Sequence, residues 1–463
     1  MPSTVFDSFY LKDRFGTGPM RAIWDDRATH QRWLDVEAAL AHVEAELGLI
    51  PEAAAKEIAG AAQIDRLDLA SMKAAFDATW NPVVPLIDEL RKIISPEAAR
   101  YVHWGATSKN IFDTGMVLQI KDAYELVLAD LDGVADELAN LAERYRDTVM
   151  AARTHGQHAV PVTFGFKAAV WLDEVHRQRE RLVSSRPRVL VGEFGGAIGT
   201  FASLGEAGPE LHERLMRRLG LMTAVVPVKT AGDRVAEFVM VLCMISATLG
   251  KIAQNIYNLQ QSDIDEVTEF TEGKVGSSAM PHKQNPVASG SVVFLGRLLR
   301  SNVHPALDYI HAEGEDDHRQ GETSWKFLPE VCLLASAQLA LTRRLLASLI
   351  VKPANMLRNL DRSGGLSMSE SLTMALAESL GADHAHELVG KLSHEARDKD
   401  LSFRDLVASH PEVTEHLSAD EVARCLDYRG YLGQVPLLID RVLEADRARK
   451  RQMALPTRTE PDS

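Results

Sequence analysis

The fold of this chain is best inferred from one stretch, Gly273-Lys274-Val275-Gly276-Ser277-Ser278-Ala279-Met280-Pro281-His282-Lys283-Gln284-Asn285-Pro286. Its two glycines and two prolines exclude a regular helix, so we predict a loop between helices. The loop offers two hydroxyls, a lysine, an amide and free backbone N–H groups. Such groups can remove a proton from a carbon beside a carboxylate and stabilise the anion that results. On composition alone, a flexible solvated linker explains the stretch equally well.

Long helical patterns flank this loop on both sides. Apolar residues recur at alternating intervals of three and four from Val117 to Tyr145, which favours a long helix in a bundle. Further long helices are predicted over residues 162–182, 233–259, 287–307 and 325–350. The pattern over 233–259 is apolar on nearly every face, which predicts the centre of a bundle shared between subunits. A smaller helical unit precedes these helices, shorter helices follow them from about residue 356, and no strand pattern competes.

Bulk composition limits the partners and the compartment. The formal net charge of -14 disfavours nucleic acid and anionic lipid as partners but leaves small anionic substrates possible. The three cysteines, Cys243, Cys332 and Cys425, are too widely spaced for a disulfide framework, which indicates a reducing cytoplasm. We find neither a signal peptide nor an uncharged apolar run of the roughly 20 residues that a membrane span needs.

The order of residues in the loop resembles the GSSxMPxKxNP signature of the fumarase/aspartase superfamily at every fixed position. Other segments are similar to its adenylosuccinate lyase and carboxymuconate cycloisomerase branch: Phe15-Gly16, His103-Trp104-Gly105-Ala106-Thr107-Ser108, Asp113-Thr114, Thr154-His155-Gly156-Gln157, Gly195-Gly196-Ala197-Ile198-Gly199-Thr200 and Tyr431-Leu432-Gly433. The resemblance implies an all-α, elongated subunit whose central long-helix bundle forms a tetrameric helical core. We expect an N-terminal domain over residues 1–110, the bundle over 111–355 with the signature loop near 273–290, and a C-terminal domain over 356–463.

The resemblance also implies which residues act on the substrate. Ser277 matches the general base on a mobile loop, and His155 matches a proton donor to the leaving group or an orienting partner. Serine is a weak base, so nearby N–H groups and a cation must favour its alkoxide. Lys283 and Asn285 match residues that grip a substrate carboxylate and stabilise the carbanion beside it.

Further substrate-binding residues follow from the same resemblance: Thr107, Ser108, Lys109, Gln157, His103, Met280, Arg14 and Arg319. Thr107 and Ser108 match carboxylate-binding hydroxyls, although a helix cap would favour the same residue types. A structural role for His103 and a surface charge cluster around Arg319 stay open as alternatives.

Departures from the branch bear on the substrate. Lys109-Asn110 stands where adenylosuccinate lyases have a small residue and an aspartate, and Gln284 replaces an arginine of the cycloisomerases. These mixed features favour a small substituted succinate over a nucleotide-sized substrate. We therefore expect a lyase that releases fumarate from an N-substituted aspartate, aspartate or nitrosuccinate, with no metal or organic cofactor, in a homotetramer whose active sites are shared between subunits. Lactonisation of a 3-carboxymuconate and a non-catalytic structural protein on the same scaffold are the alternatives.

Overall fold

The computed structural model describes residues 4–269 and 277–454. The structure is 69% helical, and the strands of the described residues form only three two-stranded pairs. The predicted all-α class is therefore confirmed.

Most of the helices are short, and a few are much longer than the rest. In chain order they are α1 Lys12–Phe15, α2 Gly18–Ile23, α3 Asp26–Glu46, α4 Glu52–Ala61, α5 Leu69–Thr79, α6 Val84–Lys92, α7 Pro96–Ala99, α8 Ser108–Arg144, α9 Phe164–Val189, α10 Gly208–Leu219, α11 Asp233–Leu259, α12 Val287–Arg300, α13 Val303–Asp308, α14 His318–Ala347, α15 Pro353–Asp361, α16 Ser369–Leu380, α17 Ala382–Asp398, α18 Phe403–Ser409, α19 Pro411–His416, α20 Ala419–Cys425 and α21 Val435–Ala454. Short 3-10 segments lie at Ile64–Arg66, Gly205–Ala207, Leu366–Met368 and Tyr428–Tyr431.

The long helix predicted from the three-four apolar repeat is confirmed as α8. Its repeat residues are buried, as for Tyr124, Val127 and Leu138, each fully inaccessible to solvent. The tyrosine hydroxyl is satisfied as well, because it donates a 2.6 Å hydrogen bond to the carbonyl oxygen of Leu182. The apolar repeat therefore forms the packing face of this helix.

The apolar helix predicted over 233–259 is confirmed as α11. By length and composition alone it could cross a membrane, but 67% of its most apolar stretch is buried within this chain. That burial is typical of the core helix of a folded protein.

Two sequence expectations are wrong in detail. The predicted helix over 287–307 is two helices, α12 and α13, because Ser301 and Asn302 interrupt it. Strands are present where none was expected: β1 Val149–Thr154 pairs with β2 Gln157–Thr163, β3 Val191–Gly192 with β4 Met222–Thr223, and β5 Val267–Thr268 with β6 Ile350–Val351. Most of these strands have two residues, which is too short for an alternating pattern to be recognised.

The chain forms two compact units. Unit 1 comprises the described residues within 1–131, 178–249 and 294–340, and unit 2 comprises those within 132–177, 250–293 and 341–463. In unit 1, α3 packs against α4 and α10. In unit 2, Leu372, Leu376 and Phe403 of the C-terminal helices pack in one core with Val149 and Ala151 of β1. The three-domain division predicted along the chain stays a prediction.

Candidate active site

The turn before α8 and the first two residues of that helix carry four of the predicted site residues, all in unit 1. The turn needs left-handed backbone at His103 (φ 65°) and Gly105 (φ 69°). A Cβ added to Gly105 would lie 2.5 Å from Leu204 Cδ2, so only glycine fits there. The turn is closed by a 3.4 Å hydrogen bond from the Ala106 N–H to the carbonyl oxygen of His103.

A buried carboxylate holds His103. Its Nδ1 lies 2.6 Å from Glu37 Oε1, and the Glu37 side chain is only 1% exposed. The contact leaves Nε2 as the ring nitrogen that the imidazole can present to another group. Sequence reasoning missed Glu37, although a carboxylate at an apolar position of α3, between Trp33 and Leu40, was a usable signal.

The two predicted carboxylate-binding hydroxyls occupy the start of α8. The Asn110 side chain accepts a 3.1 Å hydrogen bond from the backbone N–H of Thr107. The Asn81 amide donates to Ser108 Oγ over 3.5 Å, and its oxygen accepts from the N–H groups of Val83 and Val84. A substrate carboxylate at this helix terminus would meet both hydroxyls at the positive end of the helix dipole, where anions are favoured.

Lys109 is directed into a cluster of buried acids. Its Nζ lies 2.8 and 2.7 Å from the two carboxylate oxygens of Asp113. Burial nevertheless raises the pKa of Asp113, with Lys109 acting in the opposite direction. Burial, and then Asp113, raise the pKa of the neighbouring Glu193 to about 8, although Arg234 donates to it at 2.6 Å. The positive charge expected from Lys109 is thus largely compensated within unit 1.

The two predicted arginines of unit 1 are both engaged with neighbours. The guanidinium of Arg14 lies over the ring of Phe294, 5.2 Å from its centroid. Arg319, in the first turn of α14, donates to both carboxylate oxygens of Asp317 at 2.8 Å and pairs with Glu313 at 3.1 Å. Binding of a substrate carboxylate by Arg319 stays a prediction, and it would require the side chain to leave these partners.

Unit 2 presents His155 at the tip of the β1–β2 hairpin. His155 (φ 51°) and Gly156 (φ 79°) form the two-residue turn, and both positive φ values are those of a type I′ turn. His155 and Gln157 are exposed in this chain. The hairpin therefore projects both predicted site residues outward from unit 2.

Below the hairpin tip, Arg153 is clamped by a buried acid. It donates to both oxygens of Glu266, at 2.6 and 2.9 Å, and Glu266 also accepts from Asn359 at 3.0 Å. On the first turn of α9, burial and then Arg153 lower the pKa of Lys167. Sequence reasoning singled out none of these residues, because their partners lie far away along the chain.

The described part of the signature loop begins at Ser277; Gly273 to Gly276 lie outside the described residues. Ser277 Oγ accepts hydrogen bonds from the N–H groups of Ala279 (3.3 Å) and Met280 (3.0 Å). The side chains of Met280 and Lys283 are exposed, and Asn285 is half-buried just before α12. Two donors therefore converge on the predicted base.

Glu269 fixes the base of this loop and was missed by sequence reasoning. It is 2% exposed, and it accepts from the N–H groups of Ala288 (2.6 Å) and Ser289 (3.0 Å) and from the Ser289 hydroxyl (2.9 Å). The Glu269 side chain therefore links the start of the loop, directly after β5, to the first turn of α12. The sequence signal was an acid placed before the loop and able to cap the helix after it.

Within one chain the predicted residues fall into two groups. Unit 1 holds Arg14, His103, Thr107, Ser108, Lys109 and Arg319; unit 2 holds His155, Gln157, Ser277, Met280, Lys283 and Asn285. Among residues 4–269 and 277–454, no group of three or more His, Cys, Asp or Glu side chains is arranged to hold a metal ion.

Known proteins share this architecture over nearly its whole length. The 3-carboxy-cis,cis-muconate lactonizing enzyme of Pseudomonas putida superimposes with a TM-score of 0.88 at 37% identity, covering 95% of this chain and 99% of that one. This similarity defines the chain as an all-helical enzyme of the fumarate lyase fold.

Sequence comparison gives the family. The family model described as Lyase matches residues 14–295, and Adenylosuccinate lyase C-terminus matches residues 365–442. An N-acetyl-S-(2-succino)cysteine lyase of Dickeya dadantii is 39% identical, covering 96% of this chain and 98% of that protein. An adenylosuccinate lyase of Methanothermobacter thermautotrophicus is also 39% identical, covering 93% and 97%. The chain belongs to the lyases of the fumarase/aspartase superfamily, as its motifs predicted.

Proposed function

We propose that this protein catalyses an anti β-elimination from a small 2-substituted succinate, releasing fumarate, with Ser277 as the general base. N-substituted aspartates, aspartate and nitrosuccinate are the substrate types. Two similar proteins carry names that include a succinyl unit, one as a 2-succino thioether and one as adenylosuccinate. A shared succinyl unit with different leaving groups supports the same elimination here.

The observation that carries the proposal is the environment of Ser277. Its Oγ is the acceptor of two backbone N–H groups, and hydrogen bonds to the charged form of a group lower its pKa. The lysine six residues further along the same loop would add a positive charge. Both features favour the serine alkoxide over the alcohol.

The reaction follows from these groups. The Ser277 alkoxide takes the proton from the carbon beside one carboxylate, and that carboxylate accepts the electron pair as an aci-carboxylate. Lys283 and Asn285 donate to its oxygens and stabilise the added charge. The electron pair then forms the carbon–carbon double bond while the bond to the leaving group breaks, and His155 supplies a proton to the departing atom. The products are fumarate and the protonated leaving group.

Thr107 and Ser108 bind the second carboxylate in this scheme, at the positive end of α8. His103, held by Glu37, donates from Nε2 to the same anion. Gln157, Met280 and Arg14 contact the substrate in this scheme. Lys109 and Arg319 bind it after leaving their present partners, Asp113 and Asp317.

The proposed working form is a cytoplasmic homotetramer in which three subunits contribute to each site. The hairpin bearing His155 and the signature loop then come from other subunits than the α8 terminus does. Exposure of His155 and Lys283 in the single chain is consistent with sites that are completed by assembly.

Lactonisation of 3-carboxymuconate is the second candidate, favoured by the structural similarity to the lactonizing enzyme. A non-catalytic protein on this scaffold is the third, and the presence of Ser277, Lys283, Asn285 and His155 together argues against it.

A substrate panel tests the proposal. The purified protein is incubated separately with aspartate, adenylosuccinate, argininosuccinate, nitrosuccinate, an S-(2-succino) thiol and 3-carboxymuconate. Fumarate formation and loss of 3-carboxymuconate are followed by ultraviolet absorbance. We expect fumarate from at least one of them. Consumption of 3-carboxymuconate with no fumarate from any succinate would support lactonisation, and inertness towards every compound would leave the structural alternative.

A further inference from the structure

Unit 1 contains an aromatic cavity of about 670 Å³. Its apolar lining includes five aromatic residues and a methionine: Trp24, Trp33, Phe76, Phe112, Met116 and Trp325. Phe112 contacts two of the tryptophan rings: its ring centroid lies 5.9 Å from that of Trp33 and 5.8 Å from that of Trp325. The volume is that of an ordinary small-molecule site.

The cavity adjoins the hydroxyls at the start of α8. Phe112 and Met116 follow Ser108 at intervals of four residues, so the three side chains share one face of the helix. Pro82 also lines the cavity, and the residue before it, Asn81, donates to Ser108 Oγ. A succinate carboxylate bound at Ser108 would therefore have the cavity beside it.

Two polar side chains of the wall, Lys73 and Gln119, are already engaged with neighbouring groups. Lys73 pairs with both carboxylate oxygens of Asp77. The Gln119 amide donates to the Ile23 carbonyl (2.7 Å) and to Thr29 Oγ1 (2.9 Å). A phosphate or sugar placed here would gain no uncompensated cation from this wall, whereas an apolar group would bury its surface against aromatic rings.

We propose that this cavity receives the leaving group of the substrate, and that this group carries an apolar portion about the size of an aromatic ring. The proposal rests on the elimination proposed above and narrows its substrate to succinates bearing an apolar thiol, amine or comparable group at carbon 2.

Binding of inert analogues tests the proposal without turnover. Calorimetric titration of the full assembled protein compares succinate, methylsuccinate and benzylsuccinate, which share both carboxylates and cannot eliminate. We expect benzylsuccinate to bind about ten- to a hundredfold more tightly than methylsuccinate, as burial of a phenyl ring predicts. Equal or weaker binding of benzylsuccinate would overturn the proposal.

Substitutions in the cavity wall test whether this cavity causes the preference for benzylsuccinate. Leu69→Trp places a larger side chain in the cavity wall, so it should abolish the preference for benzylsuccinate. The affinity for succinate should stay within a few-fold of wild type. Leu437→Trp is the control, because Leu437 is exposed and lies in unit 2. If Leu69→Trp does not fold, Phe76→Ala should weaken benzylsuccinate binding about tenfold and leave succinate unchanged. A preference for benzylsuccinate that stays at the wild-type level in either variant contradicts the assignment of this cavity.

The two proposals fail in different ways. Fumarate formation together with no preference for benzylsuccinate would reject the apolar leaving group alone. Absence of both fumarate and dicarboxylate binding would reject the elimination and, with it, the role of the cavity.

Discussion

Glu44 is a carboxyl group that the interior of unit 1 keeps protonated. Its side chain is 1% exposed, and neither of its oxygens has a hydrogen-bond partner among the described residues. Burial, and then the charge of Glu37 two turns earlier on α3, raise its pKa to about 9.

The shifted pKa of Glu44 predicts a pH dependence of stability. The folded state holds a proton that the unfolded chain releases near pH 4.5, so the free energy of unfolding falls as pH rises from about 4.5 to about 9. Glu44→Gln removes this decrease in the free energy of unfolding, because glutamine does not ionise. Relative to wild type, we expect the variant to gain on the order of a few kcal/mol between pH 5 and pH 8, measured by denaturant unfolding.

Glu46→Gln is the matched control, since Glu46 lies on the same helix, is exposed and pairs with Arg218. Its effect should be small and nearly independent of pH between 5 and 8. A Glu44→Gln gain that is equal at the two pH values would show that Glu44 is ionised in the folded protein.

At the residue scale, sequence analysis proposed catalytic residues from their motifs, and it missed the buried acids that hold the neighbouring backbone and side chains. Ser277 and His155 belong to short contiguous motifs. Glu37 and Glu269 act through partners 66 and about 20 residues away, so only the folded chain reveals their roles.

At the scale of elements, the signature loop is a segment closed at its base. β5 pairs with β6 before the loop, and Glu269 holds the first turn of α12 after it. Both ends of the loop are therefore anchored by contacts of described residues.

Glu269→Ala should therefore loosen the loop. It removes three hydrogen bonds at the start of α12, and we expect a loss of about 1–3 kcal/mol in local stability. Hydrogen exchange should accelerate at the amides of Ala288 and Ser289, and kcat should fall more than ligand affinity.

Ser289→Ala provides a graded comparison, because it removes one of the three donors and keeps both backbone bonds. Its exchange rates should lie between those of wild type and Glu269→Ala. Unchanged exchange in Glu269→Ala would mean that the loop is held by other contacts.

The elements were predicted unevenly, for a physical reason. The three-four repeats of α8 and α11 extend over many turns, so their helical period is unmistakable. The β1–β2 hairpin has a His-Gly turn in place of Asn-Gly and includes Pro161, and both features hide a strand signal. The hairpin was found as a motif for chemistry, not as a pair of strands.

At the scale of the whole molecule, the fold class and the family followed from the sequence, but the division into units did not. Each unit is assembled from three separate segments, and the boundaries fall within long helices such as α8 and α14. A reading along the chain cannot detect units that are interleaved in this way. The same holds for electrostatics. The positive charge of Lys109 was predicted from the sequence, but its pairing with Asp113 was not.

The central claim is that the Ser277 hydroxyl removes the substrate proton. The most direct measurement is kcat for fumarate release by wild type, Ser277→Ala and Ser278→Ala on the best succinate of the panel, the last variant being a control that removes the neighbouring hydroxyl. We predict a loss on the order of a hundredfold or more for Ser277→Ala and a change of only a few-fold for Ser278→Ala. Turnover of Ser277→Ala at the wild-type rate would contradict the claim.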